Sequence, residues 1–337
     1  MAPSAVGTSA AVARGETVTE LDKAIWHVFG AKNGDHWFGS HERGAYRYDG
    51  KTLVRYTTKD GLGSDSIEGF QEDDAGNIFI AAGNRISRFD GRTLATLIES
   101  TTTTPDDWKL LPNDLWFRGP GDSASLLRYD GRSLHRLKIP ETDAGRRIVA
   151  ASPRDQFPNI NFTPYDPYVI FEDSRGHLWF GTALLGACRF DGKSFAWIPE
   201  EDLHNGSFGT RSIVEDRHGR FWCSNVVDRY EVDTSDSAAP RFRKLKGLRD
   251  ANRPDRVPFG GVMSAVKDEN GAVWFATYGE GVFRYDGKDL VHYPVTVGGS
   301  AINLYLIHRD HQGVLWLGTQ QHGAFRFNGK SFEPFKP

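Results

Sequence analysis

Residues 172–195 read EDSRGHLWFGTALLGACRFDGKSF, and this stretch decides the fold. The apolar Tyr168-Val-Ile-Phe171 leads into the polar EDSRG, where Asp173 and Gly176 suit a tight reversal. His177-Leu-Trp-Phe180 then reads as a second strand and Gly186-Ala-Cys-Arg-Phe190 as a third. Asp191-Gly192 is a two-residue hairpin signal ahead of Lys193-Ser-Phe-Ala-Trp197. Four short antiparallel strands are therefore expected from one segment.

The same unit recurs along the chain. DHWFGSHERGAYRYDGKTL begins at Asp35, NIFIAAGNRISRFDGRTL at Asn77, DLWFRGPGDSASLLRYDGRSL at Asp114, RFWCSNVVDRYEVD at Arg220, AVWFATYGEGVFRYDGKDL at Ala272 and VLWLGTQQHGAFRFNGKSF at Val314. With the opening stretch these make seven copies, each carrying a large aromatic at one place: Trp37, Phe79, Trp116, Trp179, Trp222, Trp274 and Trp316. Each copy then has Arg followed by an aromatic, from Arg47-Tyr48 to Arg326-Phe327. Four strands in about 42 residues is the period of a β-propeller blade, and seven blades close a ring without long exposed edges. The fold class is thus expected to be all-β, a seven-bladed β-propeller of four-stranded antiparallel blades. Residues 21–337 would form a single domain, and 1–20 a flexible tail or an added outer strand. The repeated Arg is best read as scaffold, its stem on apolar surface and its head on a turn carboxylate or carbonyl.

The pattern EDxxGxLWFGTxxxGxxRYDGKxF, present in the opening stretch and again as KDENGAVWFATYGEGVFRYDGKDL at residues 267–290, resembles the two-component regulator propeller repeat over essentially residues 25–335. That family supplies periplasmic sensor portions of bacterial hybrid histidine kinases and also stand-alone proteins. This sequence has one set of seven repeats and no kinase region, so the resemblance implies a stand-alone, sensor-type propeller. The related rings of streptogramin lyases and propeller polysaccharide lyases perform metal-assisted elimination, an analogy at the level of fold. The WD dipeptide of WD40 blades is missing, and the Asp-box spacing of sialidases does not fit.

Composition narrows the function classes. The chain has 337 residues with 39% hydrophobic and 25% charged, so it forms an ordinary core. Its 41 Lys and Arg against 44 Asp and Glu leave a net charge of −3, unsuited to a nucleic-acid backbone as main partner. No apolar run approaches the length of a membrane span. Cys188 and Cys223 are too few for a disulfide framework or zinc ribbon and are read as buried free thiols, although one bridge stays open on spacing. The opening MAPSAVGTSAAVARGET lacks the h-region of a signal peptide. Two compartments follow as alternatives: cytoplasmic, or periplasmic or secreted if a leader was removed. There is no GxSxG elbow, P-loop, dinucleotide fingerprint or EF-hand loop.

If shared residues are scaffold, departures from the repeat are the candidates for function. In the loops between second and third strands these are His41, Glu42 and Arg43; Asn84 and Arg85; Asp122; Asp228; Tyr278 and Glu280; and Gln320, Gln321 and His322. Near the starts of innermost strands lie His27, Glu68, Tyr168, Arg211 and Tyr305. In a propeller both sets fall on one face. The first and seventh blades become neighbours on ring closure, which would bring His41 towards His322. The long intervals at 139–167 and 234–261 and the segment EEDLHNGSFGTR connect blades, and are read as lids or binding loops, or as interface. Their aromatic and Arg residues, including Phe162, Tyr165, Arg253 and Phe259, would cover a ligand. His36, His177, His218 and His311 are read as surface residues at blade turns.

Three readings compete. In the first, the protein is a ligand-binding sensor module that recognises a carbohydrate or small anionic organic molecule, with Arg43, Glu68, Arg85, Tyr168, Arg211, Tyr305, Gln320 and Gln321 as contacts. In the second it is a hydrolase or lyase in which His41, His322 and Glu280 hold a divalent metal ion, the expected cofactor, and His41, His322, Glu280 or Tyr278 perform acid or base chemistry. The third is a protein-interaction platform. A monomer or dimer suits all three.

Overall fold

The computed structural model describes residues 11–100, 107–120, 124–151, 163–233, 241–249 and 257–337. The chain is a seven-bladed all-β propeller of antiparallel sheets, in which contacts delimit two compact units. The first unit holds the first, second, sixth and seventh blades. Their strands run Ile25–Gly30, His36–Ser40, Ala45–Tyr48 and Leu53–Tyr56 in the first blade and Ile67–Glu72, Ile78–Ala82, Arg85–Phe89 and Thr93–Thr96 in the second. The sixth has Val262–Lys267, Val273–Thr277, Val282–Tyr285 and Leu290–Tyr293; the seventh has Leu304–Arg309, Leu315–Thr319, Ala324–Phe327 and Phe332–Pro334. Two short N-terminal strands add a fifth member to two sheets, Glu16–Val18 on the outer edge of the first blade and Ala11–Val12 on that of the second.

The second unit holds the other three blades. Three strands are described in the third blade, Leu115–Arg118, Ser125–Tyr129 and Leu134–Lys138. The fourth has Pro167–Glu172, Leu178–Thr182, Ala187–Phe190 and Phe195–Ile198; the fifth has Ile213–Glu215, Arg220–Cys223, Asp228–Asp233 and Arg241–Lys246. Part of the interval at 139–167 is an α-helix, Asp143–Ala151, where the sequence reading expected a loop. Thr142 Oγ1 accepts the Gly145 amide at its start, and Tyr165 lies so close that a Cβ at Gly145 would sit 2.0 Å from the phenol oxygen. Phe162, Asp122 and Arg253 lie outside the described residues.

The repeated aromatic and Arg face each other across the sheet, with Trp37 opposite Arg47, Phe79 opposite Arg88, Trp116 opposite Arg128, Trp179 opposite Arg189, Trp274 opposite Arg284 and Trp316 opposite Arg326. Alternation with period two puts both on one face. The turn Asp ties them together: Asp173, Asp268 and Asp310 accept from the indoles of Trp179, Trp274 and Trp316 at 2.9, 2.9 and 2.8 Å. Asp35 and Asp114 take Arg47 and Arg128 at 2.6 and 2.7 Å. The repeated Arg is therefore scaffold.

Buried clusters seal neighbouring blades within each unit. Trp37, Ile67, Ile80 and Phe89 join the first and second blades; Trp274, Leu304 and Phe325 the sixth and seventh; Phe38, Tyr46 and Trp316 the seventh and first. In the second unit Trp116, Phe180 and Phe190 join the third and fourth, and Trp179, Phe221 and Tyr230 the fourth and fifth. His36, expected at the surface, is half-buried against Trp316 and within 3.2 Å of Asp310. Cys188 and Cys223 are buried free thiols.

Candidate ligand-binding site

Two local devices build the loop face. The first is a bulge. In four blades the pairing between innermost and second strands slips just after the strand begins, between Ile25 and His27, Ile67 and Gly69, Pro167 and Val169, and Leu304 and Leu306. The residue that drops out of the ladder is Trp26, Glu68, Tyr168 or Tyr305, and a bulge re-aims the side chain it carries. In the first blade that residue is Trp26, one position before the His27 expected from sequence.

The second device is a staple across the loop between second and third strands. The hydroxyls of Thr182, Thr277 and Thr319 donate to the carbonyls of Gly186, Gly281 and Gly323 at 2.9, 2.7 and 2.7 Å. Each also accepts a loop amide, from Leu185, Glu280 and His322. These glycines have positive φ, which lets the loop close on itself. In the first blade Ser40 plays the part, accepting the amides of Glu42 and Arg43 and donating to Asp22 at 2.6 Å.

In the first unit these devices assemble an aromatic cluster on the sixth, seventh and first blades. Trp26 stacks on His41, centroids 3.7 Å apart, and on Tyr305, centroids 4.3 Å apart, with interplanar angles of 11° and 14°. Two rings this near cannot share one face of an indole without overlapping, so Trp26 is held between them. Tyr278 meets Tyr305 nearly edge-on at 6.2 Å. A backbone bridge joins Tyr278 to Asn303, and the Gln320 amide donates to the Asn303 carbonyl at 3.0 Å. The Gln320 side-chain oxygen accepts from the Tyr278 hydroxyl at 3.3 Å and from Asn303 Nδ2 at 2.7 Å, while the Gln320 backbone carbonyl takes the Trp26 indole at 3.4 Å. A planar amide whose oxygen is engaged this way turns its NH2 to the opposite side, so Gln320 Nε2 is a fixed donor with no acceptor among the described residues. Tyr278 is 42% exposed, and its ring gives the cluster an accessible apolar surface.

The structure thus brings together His41, Tyr278, Tyr305 and Gln320 from the sequence candidates and adds Trp26 and Asn303. A signal for Trp26 existed: it is one of three Trp outside the repeated position. Asn303 carried none. Glu280 and His322 are exposed on the stapled loops; the Glu280 carbonyl is 2.8 Å from His292 Nε2. Gln321 is exposed beside them. Arg43 instead lines a pocket of about 380 Å³ with Glu16, Arg55, Lys59 and Asp65, and lies 3.7 Å from Asp22. Glu68 is half-buried at the bulge of the second blade, and Arg85 is exposed with its stem against Gly63. Among the described residues no three His, Cys, Asp or Glu side chains come together as metal ligands do, so His41, His322 and Glu280 are not gathered into such a set.

The second unit has its own arrangement around Tyr168 and Arg211. The Arg211 guanidinium lies over the Tyr168 ring at 4.3 Å and the Phe208 ring at 5.2 Å, and its Nε donates to the Phe208 carbonyl at 2.8 Å. Asp228, another departure from the repeat, is paired with Lys244 at 3.2 Å and Arg249 at 3.6 Å, which makes it part of the fifth blade's framework.

Residues 161–183 match the family model described as Two component regulator propeller. Among curated protein sequences none matches this chain. Among solved structures, virginiamycin B lyase from Staphylococcus aureus is similar at 14% identity and a TM-score of 0.62, over 92% of this chain and 97% of that one. The extracellular domain of a putative one component system from B. thetaiotaomicron is similar at 17% identity and 0.59, over 92% of this chain and 40% of that one. PorZ, a surface component of the type-IX secretion system of Porphyromonas gingivalis, is similar at 14% and 0.61, over 92% and 47%. At these identities the likeness is one of fold. Among the described residues no helix is long and apolar enough to cross a membrane. Residues 161–183 thus match one two component regulator propeller repeat within a seven-bladed β-propeller.

Proposed function

We propose that the chain is a carbohydrate-binding propeller of the sensor type, with its sugar site on the His41–Trp26–Tyr305–Tyr278 cluster. The observation that carries this reading is the Gln320 side chain: its oxygen is held by Tyr278 and Asn303 and its NH2 is left directed and unpaired beside an exposed tyrosine ring. A sugar presents an apolar C–H face and a rim of hydroxyl oxygens. An aromatic surface beside a fixed amide donor suits both parts at once. Because the stack is already formed, little ordering would be needed on binding. The fold likeness to extracellular domains of a putative one component system and a putative hybrid two component system agrees with a receptor role.

The test is a glycan array probed with the purified chain, followed by calorimetry on the glycans retained. The expected result is binding without turnover, weakened about 10-fold in Gln320→Ala or Tyr278→Ala, or roughly 1.4 kcal/mol. A retained glycan whose affinity is unchanged in both variants, or one that is cleaved, would overturn the reading.

A further inference from the structure

In the second unit the arginines of the repeat each form an ion pair with a carboxylate: Arg128 with Asp114 at 2.7 Å, Arg189 with Asp191 at 3.5 Å and Arg229 with Asp216 at 3.5 Å. Arg211 is half-buried and has no carboxylate within ion-pair distance among the described residues. It is nevertheless held in place. Its backbone amide donates to Ser224 Oγ at 2.6 Å, its Nε to the Phe208 carbonyl at 2.8 Å, and its guanidinium lies over Tyr168 and Phe208. These contacts use the Nε–H and the flat faces of the guanidinium. They leave the outer edge, the two Nη groups, without a partner among the described residues, and that edge matches the two oxygens of a carboxylate.

The neighbouring backbone is unusual as well. Ser224 has a φ of 60°, in the left-handed region that non-glycine residues seldom occupy. Its Oγ accepts both the Arg211 and the Ser212 amides, at 2.6 and 2.8 Å, so its own hydroxyl proton is available to an acceptor. Gly209, also at positive φ, brings the chain so near Tyr168 that a Cβ would be 2.8 Å from the ring. Tyr168 itself is the bulge residue of the fourth blade.

We propose that Arg211, seated on Tyr168 and Phe208 and flanked by Ser224, is a binding site for the carboxylate of a small organic acid. One guanidinium balances one negative charge. A phosphate dianion would want a second cation, and the contacts of Tyr168, Phe208 and Ser224 supply none. The site lies wholly in the second unit and does not depend on the sugar site of the first.

The test is calorimetric titration of the full chain with benzoate, its neutral isostere benzamide, and inorganic phosphate. Benzoate is expected to bind with a Kd on the order of 1 mM, benzamide and phosphate at least about 10-fold more weakly. Arg211→Lys keeps the charge and loses the fork, and is expected to weaken benzoate about 10-fold, while Tyr278→Ala leaves it unchanged. Thermal melts of Arg211→Lys and Arg211→Met establish that each variant is folded. Equal affinity for benzoate and benzamide, preference for phosphate, or benzoate binding that survives both substitutions in folded protein would overturn the proposal.

Discussion

The indole of Trp26 and the imidazole of His41 lie face to face, centroids 3.7 Å apart, although one belongs to the bulge of an innermost strand and the other to the loop between the second and third strands of the same blade. The contact locks loop to strand. His41 is also anchored by its backbone amide, which donates to the Ala24 carbonyl at 3.0 Å. Its imidazole therefore acts as one wall of a stack.

If the ring is what matters, His41→Phe should retain binding and His41→Ala should not. Losing one stacked partner is expected to cost about 1 kcal/mol of stability and to weaken glycan binding several-fold. Denaturant unfolding and calorimetry on the two variants check this, and equal loss in both would assign His41 a chemical role in place of a packing one.

Tyr278→Phe removes one hydroxyl and keeps the ring. Gln320 then loses one of its two side-chain donors, so the expected effect is about 1 kcal/mol or less on stability and a measurable fall in glycan affinity. An affinity equal to that of the parent would place the important contact on the ring alone.

The contact of the seventh blade with the first is expected to weaken in acid. His308 Nε2 accepts the Gly30 amide at 3.1 Å, and burial lowers its pKa from 6.5 to about 4. Burial opposes the charged form of Asp310, but hydrogen bonds from His36, Trp316 and the Val314 and Gln312 amides outweigh it and hold the carboxyl well below the ordinary range. Between pH 6.5 and about 4 the unfolded chain takes up a proton at His308 that the folded chain resists, so stability falls as pH falls. Below the ordinary value of 3.8 Asp310 adds a second loss of the same sign. The melting temperature is expected to drop between pH 7 and 4.5, and His308→Gln to flatten that part of the profile.

Asp114 and Arg128 form a buried pair, each side chain 4% exposed, joined at Nε and Nη2 by bonds of 2.7 and 3.1 Å. Asp114→Ala leaves a buried guanidinium without its counter-charge and is expected to cost about 3–5 kcal/mol, whereas the double change with Arg128→Met should cost less than the single one. Urea unfolding of the three variants makes the comparison.

Burial pushes the Cys223 thiol up to about 12 and the Cys188 thiol well above its ordinary value. Neither should react with a thiol reagent in the native protein at pH 8, and both should do so in guanidinium; prompt native labelling of either would contradict their packing.

The framework was legible in the sequence because it repeats. Trp179 and Arg189 have counterparts in the other copies since they oppose one another on adjacent strands joined by the loop at 183–186, and Asp173 recurs since one carboxylate serves both turn and indole. The site was only half legible, because its residues are those that do not repeat. His41, Tyr278 and Gln320 are departures in loops, whereas Trp26 is marked only by its place outside the repeated Trp position, and the one-residue slip of register that re-aims it is visible only once the strands are paired. Asn303 and Phe208 act through position, and no spacing distinguishes them. The helix Asp143–Ala151 lies in an interval whose Pro153, Pro158, Pro164 and Pro167 argue for loop, although Thr142 supplies a usable cap.

The most direct measurement is a crystal structure of the chain soaked with the tightest oligosaccharide from the array. A sugar ring resting on Tyr278, with a hydroxyl oxygen within hydrogen-bond distance of Gln320 Nε2, is the expected result. Sugar density that touches neither residue would contradict the carbohydrate site.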